Sequence, residues 1–149
     1  MRFMTVRVTL LATLCAAALA AQSGGIPPEW EVQKQLSSLV AHIERFKPVL
    51  EQLKPQDWVK QGAPAAYENQ LQRTRAEIEY LAGSSKQLSA RPERLTVALE
   101  TFLRLQAVDS LLRSVAAGVR KYQNPAIADL IESMIADAGA DRDQLRQYL

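Results

Sequence analysis

The sequence has little of the chemistry on which metal and cofactor sites depend. Its 149 residues include one cysteine, Cys15, and one histidine, His42. A metal site on helices needs several ligands at helical spacing, and a structural zinc site needs four. Leu39 stands three residues before His42, where a helical site would carry a glutamate, and no Cys-x-x-Cys-His sequence occurs. We therefore expect no metal site, no c-type haem and no other cofactor.

Catalytic motifs are also missing. No Gly-x-Ser-x-Gly sequence marks a nucleophilic serine, and the scattered glycines form no phosphate-binding loop. We interpret His42, the natural candidate for a base, as a residue at the edge of a helix seam. Asp137, Asp141 and Asp143 lack the spacing of a calcium loop, and we interpret them as a solvated, frayed helical turn. The sequence therefore predicts that this protein is not an enzyme.

Residues 1–21, MRFMTVRVTLLATLCAAALAA, have the three parts of a secretory signal peptide. Arg2 and Arg7 give a positive start, and residues 8–17 form an apolar stretch shorter than the roughly 20 residues of a membrane span. Residues 18–20 provide a small-x-small cleavage pattern. We expect cleavage after Ala20 or Ala21, a secreted or periplasmic location, and no stable membrane anchor afterwards. An uncleaved N-terminal anchor is the alternative.

Removal of this segment balances the charge of the chain. Of 18 basic residues, Arg2 and Arg7 lie in the segment, and none of the 16 acidic residues does, so 16 of each sign remain. Cys15 is removed as well, which leaves no disulfide. A neutral surface of interspersed charges argues against nucleic acid and against a polybasic membrane patch. The partner class that remains is protein, including self-association.

Apolar residues at alternating intervals of four and three dominate the remainder of the chain, which is the pattern of helices packed on helices. The first such seam is Val32, Leu36, Leu39, Ile43, Phe46, Leu50 and Leu53, and the second is Tyr67, Leu71, Thr74, Ile78, Leu81, Ser85 and Leu88. No sustained period-two alternation indicates a strand. We predict a flexible lead over 22–28 and, over 29–149, a single all-α domain, an up-and-down bundle of about four helices. An open array of helical hairpins is the alternative.

Prolines and one glycine mark the boundaries in the first half of the domain. Pro48 predicts a kink or break in the first helix near Phe46, because proline removes a backbone hydrogen bond. Pro55 begins a short helical turn, PQDWVK, which Gly62 closes. Pro64 then opens the second long helix.

The third helix is expected to start at Ser89 as its cap, with Pro92 in its first turn. Its apolar set is broad and predicts the most buried helix of the bundle. The set comprises Leu95, Leu99, Phe102, Leu105, Leu112, Val115 and Val119, flanked by Leu103, Val108 and Leu111. Asn124 is expected to cap the fourth helix, with Pro125 in its first position.

Three residues are candidates for a partner or ligand surface. Trp58 and Tyr67 lie in or beside the connection between the first two long helices, where they form either a plug over one end of the bundle or a contact surface. Asp109 interrupts the apolar third helix. It forms either an intrahelical pair with Arg113 or a polar spot that receives a ligand inside the bundle. Our first functional hypothesis is a non-catalytic protein-interaction module, and the alternative is a small-ligand-binding bundle.

Overall fold

A computed structural model describes residues 29–149, and this part of the chain contains helices and no strand. The helices are α1 (Glu29–Glu51), α2 (Pro55–Lys60), α3 (Ala66–Ala90), α4 (Leu95–Tyr122) and α5 (Pro125–Tyr148). The all-α prediction is therefore confirmed. The expected signal peptide and flexible lead, residues 1–28, lie outside the described residues. None of the described helices combines the length and apolar character that a membrane crossing requires.

The four long helices form an up-and-down bundle in which each helix packs against two antiparallel neighbours. Their order around the bundle is α1, α3, α4 and α5, which places α1 and α4 on a diagonal. Gln33 Nε2 donates to the Ser89 carbonyl at 3.0 Å, which joins the start of α1 to the end of α3. At the opposite end, the short helix α2 leads from α1 into α3. We call that opposite end the α2 end of the bundle.

The predicted seams of α1 and α3 form much of the core. All seven seam residues named for the first helix are buried, and in α3 only Tyr67 is partly exposed. Thr74 and Ser85 are fully buried despite their hydroxyl groups. The heptad spacing therefore predicts burial on these helices even where a residue is polar.

The local signals at α2 and α5 also agree with the structure. Gly62 has a φ of +92°, a left-handed conformation that suits glycine and ends the α2 segment. Asn124 caps α5, since its side-chain oxygen accepts from the Ala126 amide at 2.9 Å, and Pro125 occupies the first turn. These two boundaries follow directly from residue type.

The predicted break in the first helix is wrong, because α1 continues through Pro48 to Glu51. Pro48 lies on an exposed side of α1, whereas Phe46 and Leu50 are buried on the core side. Packing of the seam on both sides of the proline holds the helix together despite the missing amide hydrogen bond. A kink at Pro48 stays a prediction.

The predicted start of the third long helix is also wrong. Ser89 belongs to the last turn of α3, and α4 begins at Leu95, so Pro92 lies in the connection. Arg91 has φ −144° and ψ 72°, an extended conformation that the following proline favours by excluding the helical one. The proline thus acts by ending α3 rather than by starting α4.

The predicted inward face of α4 is wrong over its first two turns. Leu95, Leu99 and Leu103 are exposed, at 60%, 50% and 54%. The buried seam runs instead through Ala98, Thr101, Leu105, Val108, Leu112, Val115 and Val119. These residues keep the alternating spacing of three and four. The helical register therefore determines which side chains are buried, even though the exposed leucines are more hydrophobic. The helix therefore has a second, outward-facing apolar side.

Candidate interaction surface

Trp58 closes the α2 end of the bundle. Its side chain is 1% exposed, and its indole Nε1 donates to Gln123 Oε1 at 2.9 Å. The same Gln123 oxygen accepts from the Lys54 amide at 3.2 Å, and Gln123 Nε2 donates to the Gln52 carbonyl at 3.3 Å. The side chain of Gln123, directly after α4, is therefore hydrogen-bonded both to the segment that follows α1 and to the indole of α2. Residue type gave no indication of this role for Gln123, because the contact spans the fold.

Tyr67 joins Trp58 in an aromatic cluster. The two rings meet edge-on, with centroids 5.8 Å apart, and Tyr67 meets Tyr122 in the same way at 6.0 Å. Gly118 makes this arrangement possible, since a Cβ atom there would lie 2.6 Å from Tyr67 Cε1. The position of Trp58 agrees with the plug interpretation and leaves almost none of its surface available to a partner.

Asp109 lies apart from these aromatic residues. It is nine residues before Gly118 on α4, which corresponds to about 14 Å along the helix. Asp109 accepts two hydrogen bonds from Arg113, at 2.8 and 3.2 Å, and Arg142 Nη1 lies 4.0 Å from its Oδ1. The hydrogen bond to Asp109 raises the pKa of Arg113. The intrahelical pair is therefore present, and the structure brings only Trp58 and Tyr67 together among the three candidates.

The interior beside Asp109 offers little space. A cavity of about 10 Å³ lies between the four long helices, lined by Ile43, Phe46, Val108 and Asp109 among others. A cavity needs a volume of about 10–15 Å³ to hold a single water molecule. The cavity therefore has no room for an organic ligand in this conformation.

A partly buried hydrogen bond between two side chains, which the sequence did not suggest, connects α1 to α5. His42 Nδ1 and Asp141 Oδ2 are hydrogen-bonded at 2.6 Å, and Asp141 is 7% exposed. Burial raises the pKa of the Asp141 carboxyl group, and the hydrogen bond to His42 partly opposes that rise. The interpretation of Asp141 as part of a frayed turn is wrong, because α5 continues past it and Leu145 packs in the core. The two residues are 99 positions apart, so no local pattern indicates the pair.

The His42–Asp141 pair stands without further catalytic or ligating partners in the described part of the chain. No serine or threonine hydroxyl of residues 29–149 is hydrogen-bonded to His42. Within the same range, no three His, Cys, Asp or Glu side chains are grouped so that they could hold a metal ion. The visible role of the pair is to connect two helices.

The three exposed leucines of α4 form a continuous outward surface, which we call the leucine strip: Leu95, Leu99 and Leu103. They follow one another at intervals of four residues, so the strip covers two turns and about 12 Å. At 100° per residue, Leu99 lies about 160° from the buried Thr101. The strip therefore faces away from the core.

The solvent side of the leucine strip is uncharged along α4, whereas Arg91, Glu93 and Arg94 are exposed in the connection just before Leu95. Thr96, Gln106, Ala107 and Ser110 are all exposed on the same side of α4. The nearest charges on the helix, Glu100 and Arg104, are hydrogen-bonded to each other at 3.1 Å. Arg104 also bonds Glu77 of α3 at 3.3 Å. On α4 itself, the charges closest to the strip are therefore paired with each other.

The other exposed large apolar residues of the described chain are isolated by comparison. Tyr80 lies beneath the Arg104 guanidinium, which is 5.2 Å from the ring centroid. Trp30 is the single exposed residue of this kind on α1, and Leu130 and Leu149 stand far apart along α5. Single exposed apolar residues are ordinary, whereas three on successive turns form a patch.

Comparison with known proteins adds no further information. No protein-family model, no curated protein and no solved structure matches this chain.

Proposed function

We propose that this chain is a secreted or periplasmic, non-catalytic protein-interaction module that binds its partner through the leucine strip. The observation that carries the proposal is the exposure of Leu95, Leu99 and Leu103, each half uncovered, on the side of α4 opposite the core. Contiguous patches of exposed apolar side chains on a protein surface often mark sites of protein–protein contact. The strip also matches the one-turn spacing with which a helix presents anchors to another helix.

The size of the strip favours a reversible contact. Full burial of a leucine contributes about 1.5–3 kcal/mol, so three half-exposed leucines contribute roughly 2–4 kcal/mol when covered. Association itself costs about 4–15 kcal/mol in lost freedom of motion. Further contacts around the strip must therefore contribute before a complex forms, and the complex is expected to exchange rather than to be permanent.

The small-ligand-binding alternative has weaker support. It requires a polar spot around Asp109 that opens into the bundle, and the cavity there measures about 10 Å³. Asp109 is also engaged by both Arg113 and Arg142. A ligand would have to displace these contacts and enlarge the core.

Photo-crosslinking in cells tests the proposal. The photoreactive residue p-benzoylphenylalanine would replace Leu99 in one strain and Ala117 in another. Ala117 is exposed on the same side of α4, about five turns further along. We expect the Leu99 position to give a recurrent adduct with a protein, and the Ala117 position to give none.

A second pair of changes makes this result specific. Leu95→Ser combined with Leu103→Ser should abolish the adduct at position 99 while the bundle stays folded, because both side chains lie outside the core. The proposal would be rejected by the absence of any protein adduct at position 99. Equal adducts at positions 99 and 117 would reject it as well.

A further inference from the structure

We infer that the groove between α1 and α5 at His42 is a binding site for a neutral oligosaccharide. The inference goes beyond the proposed function, since the groove belongs to α1 and α5 and the leucine strip to α4. Four features support it: the size of the groove, the His42–Asp141 pair in its wall, the exposed indole of Trp30, and the balance of charge.

The groove is open and elongated. Its volume is about 460 Å³, within the range of roughly 300–1,000 Å³ that small-molecule sites occupy. On α1 its wall extends from Trp30 to His42, about 18 Å along the helix. These dimensions suit an elongated ligand that lies along the surface, whereas the cavity of about 10 Å³ beside Asp109 has no room for one. Residues of its wall include Trp30, Lys34, Ser38, His42, Asp141 and Gln144.

The His42–Asp141 pair leaves two acceptors free in the wall of the groove. Asp141 is 7% exposed, and its Oδ2 is hydrogen-bonded to His42 Nδ1, whereas its Oδ1 accepts no hydrogen bond from residues 29–149. A nearly buried carboxylate oxygen favours a partner that donates. When Asp141 is ionised it can only accept, so His42 Nδ1 carries the proton and Nε2 keeps its lone pair. Hydroxyl groups of a ligand are donors that match both atoms.

Trp30 supplies a flat apolar surface in the same groove. Its side chain is 68% exposed. A sugar ring has C–H groups on its faces and hydroxyl groups around its edge, so it can stack on an indole while its edge meets polar side chains. Gln35, Ser38 and Gln144 line the groove, and none of their side chains is hydrogen-bonded within the described residues. Amide and hydroxyl groups both donate and accept, as the hydroxyl groups of a sugar do.

The charges of the groove disfavour an ionic ligand. Asp137 is bonded to Arg45 at 3.4 Å. Glu31 and Lys34 carry opposite charges and line the groove three residues apart on α1. A cation or an anion would meet a like charge beside an opposite one, whereas a neutral ligand meets no such repulsion. A saccharide combines this neutrality with the hydroxyl groups and the apolar face that the wall matches.

A titration followed by NMR spectroscopy tests the inference on the isotope-labelled protein. The probes are the neutral trisaccharides maltotriose, cellotriose and chitotriose. Because the groove covers one side of a ligand only, we expect at least one probe to bind with a dissociation constant of roughly 0.1–10 mM. The indole N–H signal of Trp30 should shift with the probe and saturate. The chain has two tryptophans, so the signal of Trp58, buried at the α2 end, is an internal control.

Variants locate the binding in the groove, with the affinity taken from backbone amide signals. Trp30→Ala should weaken binding about tenfold, and His42→Gln about threefold to tenfold, since each removes one contact. Gln144→Ala, at an exposed position, repeats the test if His42→Gln does not fold. Tyr80→Ala is the matched control, because Tyr80 is an equally exposed aromatic residue on α3, outside this groove. It should leave the affinity unchanged.

Three results would overturn the inference. The first is that no trisaccharide shifts a groove signal at concentrations up to about 20 mM. The second is binding that Trp30→Ala and Gln144→Ala leave unchanged. The third is tighter binding of a charged probe, spermidine or citrate, than of every trisaccharide. None of these results bears on the proposed function, which is tested at position 99 of α4.

Discussion

Thr101 and Leu99 lie two residues apart on α4 and on nearly opposite sides of it. Thr101 has no exposed surface, whereas Leu99 is half exposed. The Thr101 hydroxyl makes no hydrogen bond in the described structure, and neither does the equally buried hydroxyl of Ser85 on the adjacent helix α3. Helix α4 thus buries one hydroxyl group in its seam and exposes leucine side chains outside it.

The buried hydroxyl of Thr101 is expected to lower stability. An unsatisfied buried polar group costs about 1–3 kcal/mol, so Thr101→Val should raise the free energy of unfolding by roughly 1 kcal/mol. Urea denaturation monitored by circular dichroism would measure the change. Thr96→Val, at an exposed position of the same helix, is the control and should shift stability by less than about 0.5 kcal/mol. A marked loss of stability in Thr101→Val would mean that the hydroxyl has a hydrogen-bond partner.

Two glycines inside helices should respond to alanine in opposite directions. A Cβ atom at Gly83 meets nothing within 4 Å, so Gly83→Ala should stabilise α3 by about 1 kcal/mol through helix propensity. A Cβ atom at Gly118 would lie 2.6 Å from the Tyr67 ring. Gly118→Ala should therefore destabilise the fold, since overpacking costs about 1–3 kcal/mol and outweighs the gain in propensity. Thermal unfolding of both variants checks the pair, and a shift of the same sign in both would contradict the packing at Tyr67.

The two tryptophans should differ sharply in their contribution to stability. Trp58→Ala removes a buried indole and its hydrogen bond to Gln123, and should cost about 3–5 kcal/mol. Trp30→Ala should cost less than about 0.5 kcal/mol, because the Trp30 side chain is 68% exposed. Chemical denaturation of the two variants measures the difference. Comparable losses would show that Trp30 is covered in solution.

The contribution of the Trp58–Gln123 bond can be separated from the volume of the indole. Trp58→Phe keeps an aromatic ring without the donor, and Gln123→Ala removes the acceptor. A double-mutant cycle should give a coupling of about 0.5–1.5 kcal/mol. A coupling near zero would mean that Gln123 acts through its bonds to the backbone alone.

Asp141 should make stability depend on pH. Its pKa is raised because burial outweighs the hydrogen bond to His42. A carboxyl group with a raised pKa in the folded state contributes stability that is complete below its unfolded pKa, about 3.9, and is lost as the pH rises through the folded pKa. Asp141→Asn removes this loss. Its free energy of unfolding, relative to the natural protein, should therefore increase between about pH 3 and pH 7.

Denaturant unfolding at both pH values measures that increase. Asp137→Asn is the matched control, since Asp137 is one turn away on α5, with a side chain that is 44% exposed and bonded to Arg45. Its difference from the natural protein should vary less with pH, because the carboxyl group stays solvated in both states. A relative stability of Asp141→Asn that falls with rising pH would show that the bond to His42 outweighs burial.

The sequence was sufficient for the fold class and most of the core, because heptad spacing and caps such as Asn124 act locally. It failed where tertiary packing competes with residue type. Pro48 did not end α1, since the seam on both sides of it is buried. Hydrophobicity alone predicts a buried position for the leucines at the start of α4, whereas the register of the helix places them outside the core. Counting back from Val119 in steps of four and three would have reached Thr101 and Ala98 instead.

The candidate site was less accessible to sequence reasoning. Trp58 and Tyr67 were recognised together, since both lie near the same connection. Gln123 and the His42–Asp141 pair were not, because their contacts join residues 65 and 99 positions apart. The sequence pattern predicts Leu95 and Leu99 in the buried set and Leu103 at its flank, so it does not predict the exposed leucine strip. Residue type alone does not distinguish an exposed leucine from a buried one until the register of the whole helix is known.

The contrast between Trp30 and Trp58 gives this protein one built-in optical reporter and one internal reference. Trp30 lies at the start of α1 and Trp58 just beyond its end, separated by most of a helix about 34 Å long. The Trp30 indole is exposed to water and the Trp58 indole is buried. Their fluorescence is therefore expected to differ in emission wavelength and in quenching by acrylamide. Opening of the α2 end thus shifts the emission of Trp58, while the already exposed Trp30 changes little. Loss of structure at that end can therefore be followed without any added dye.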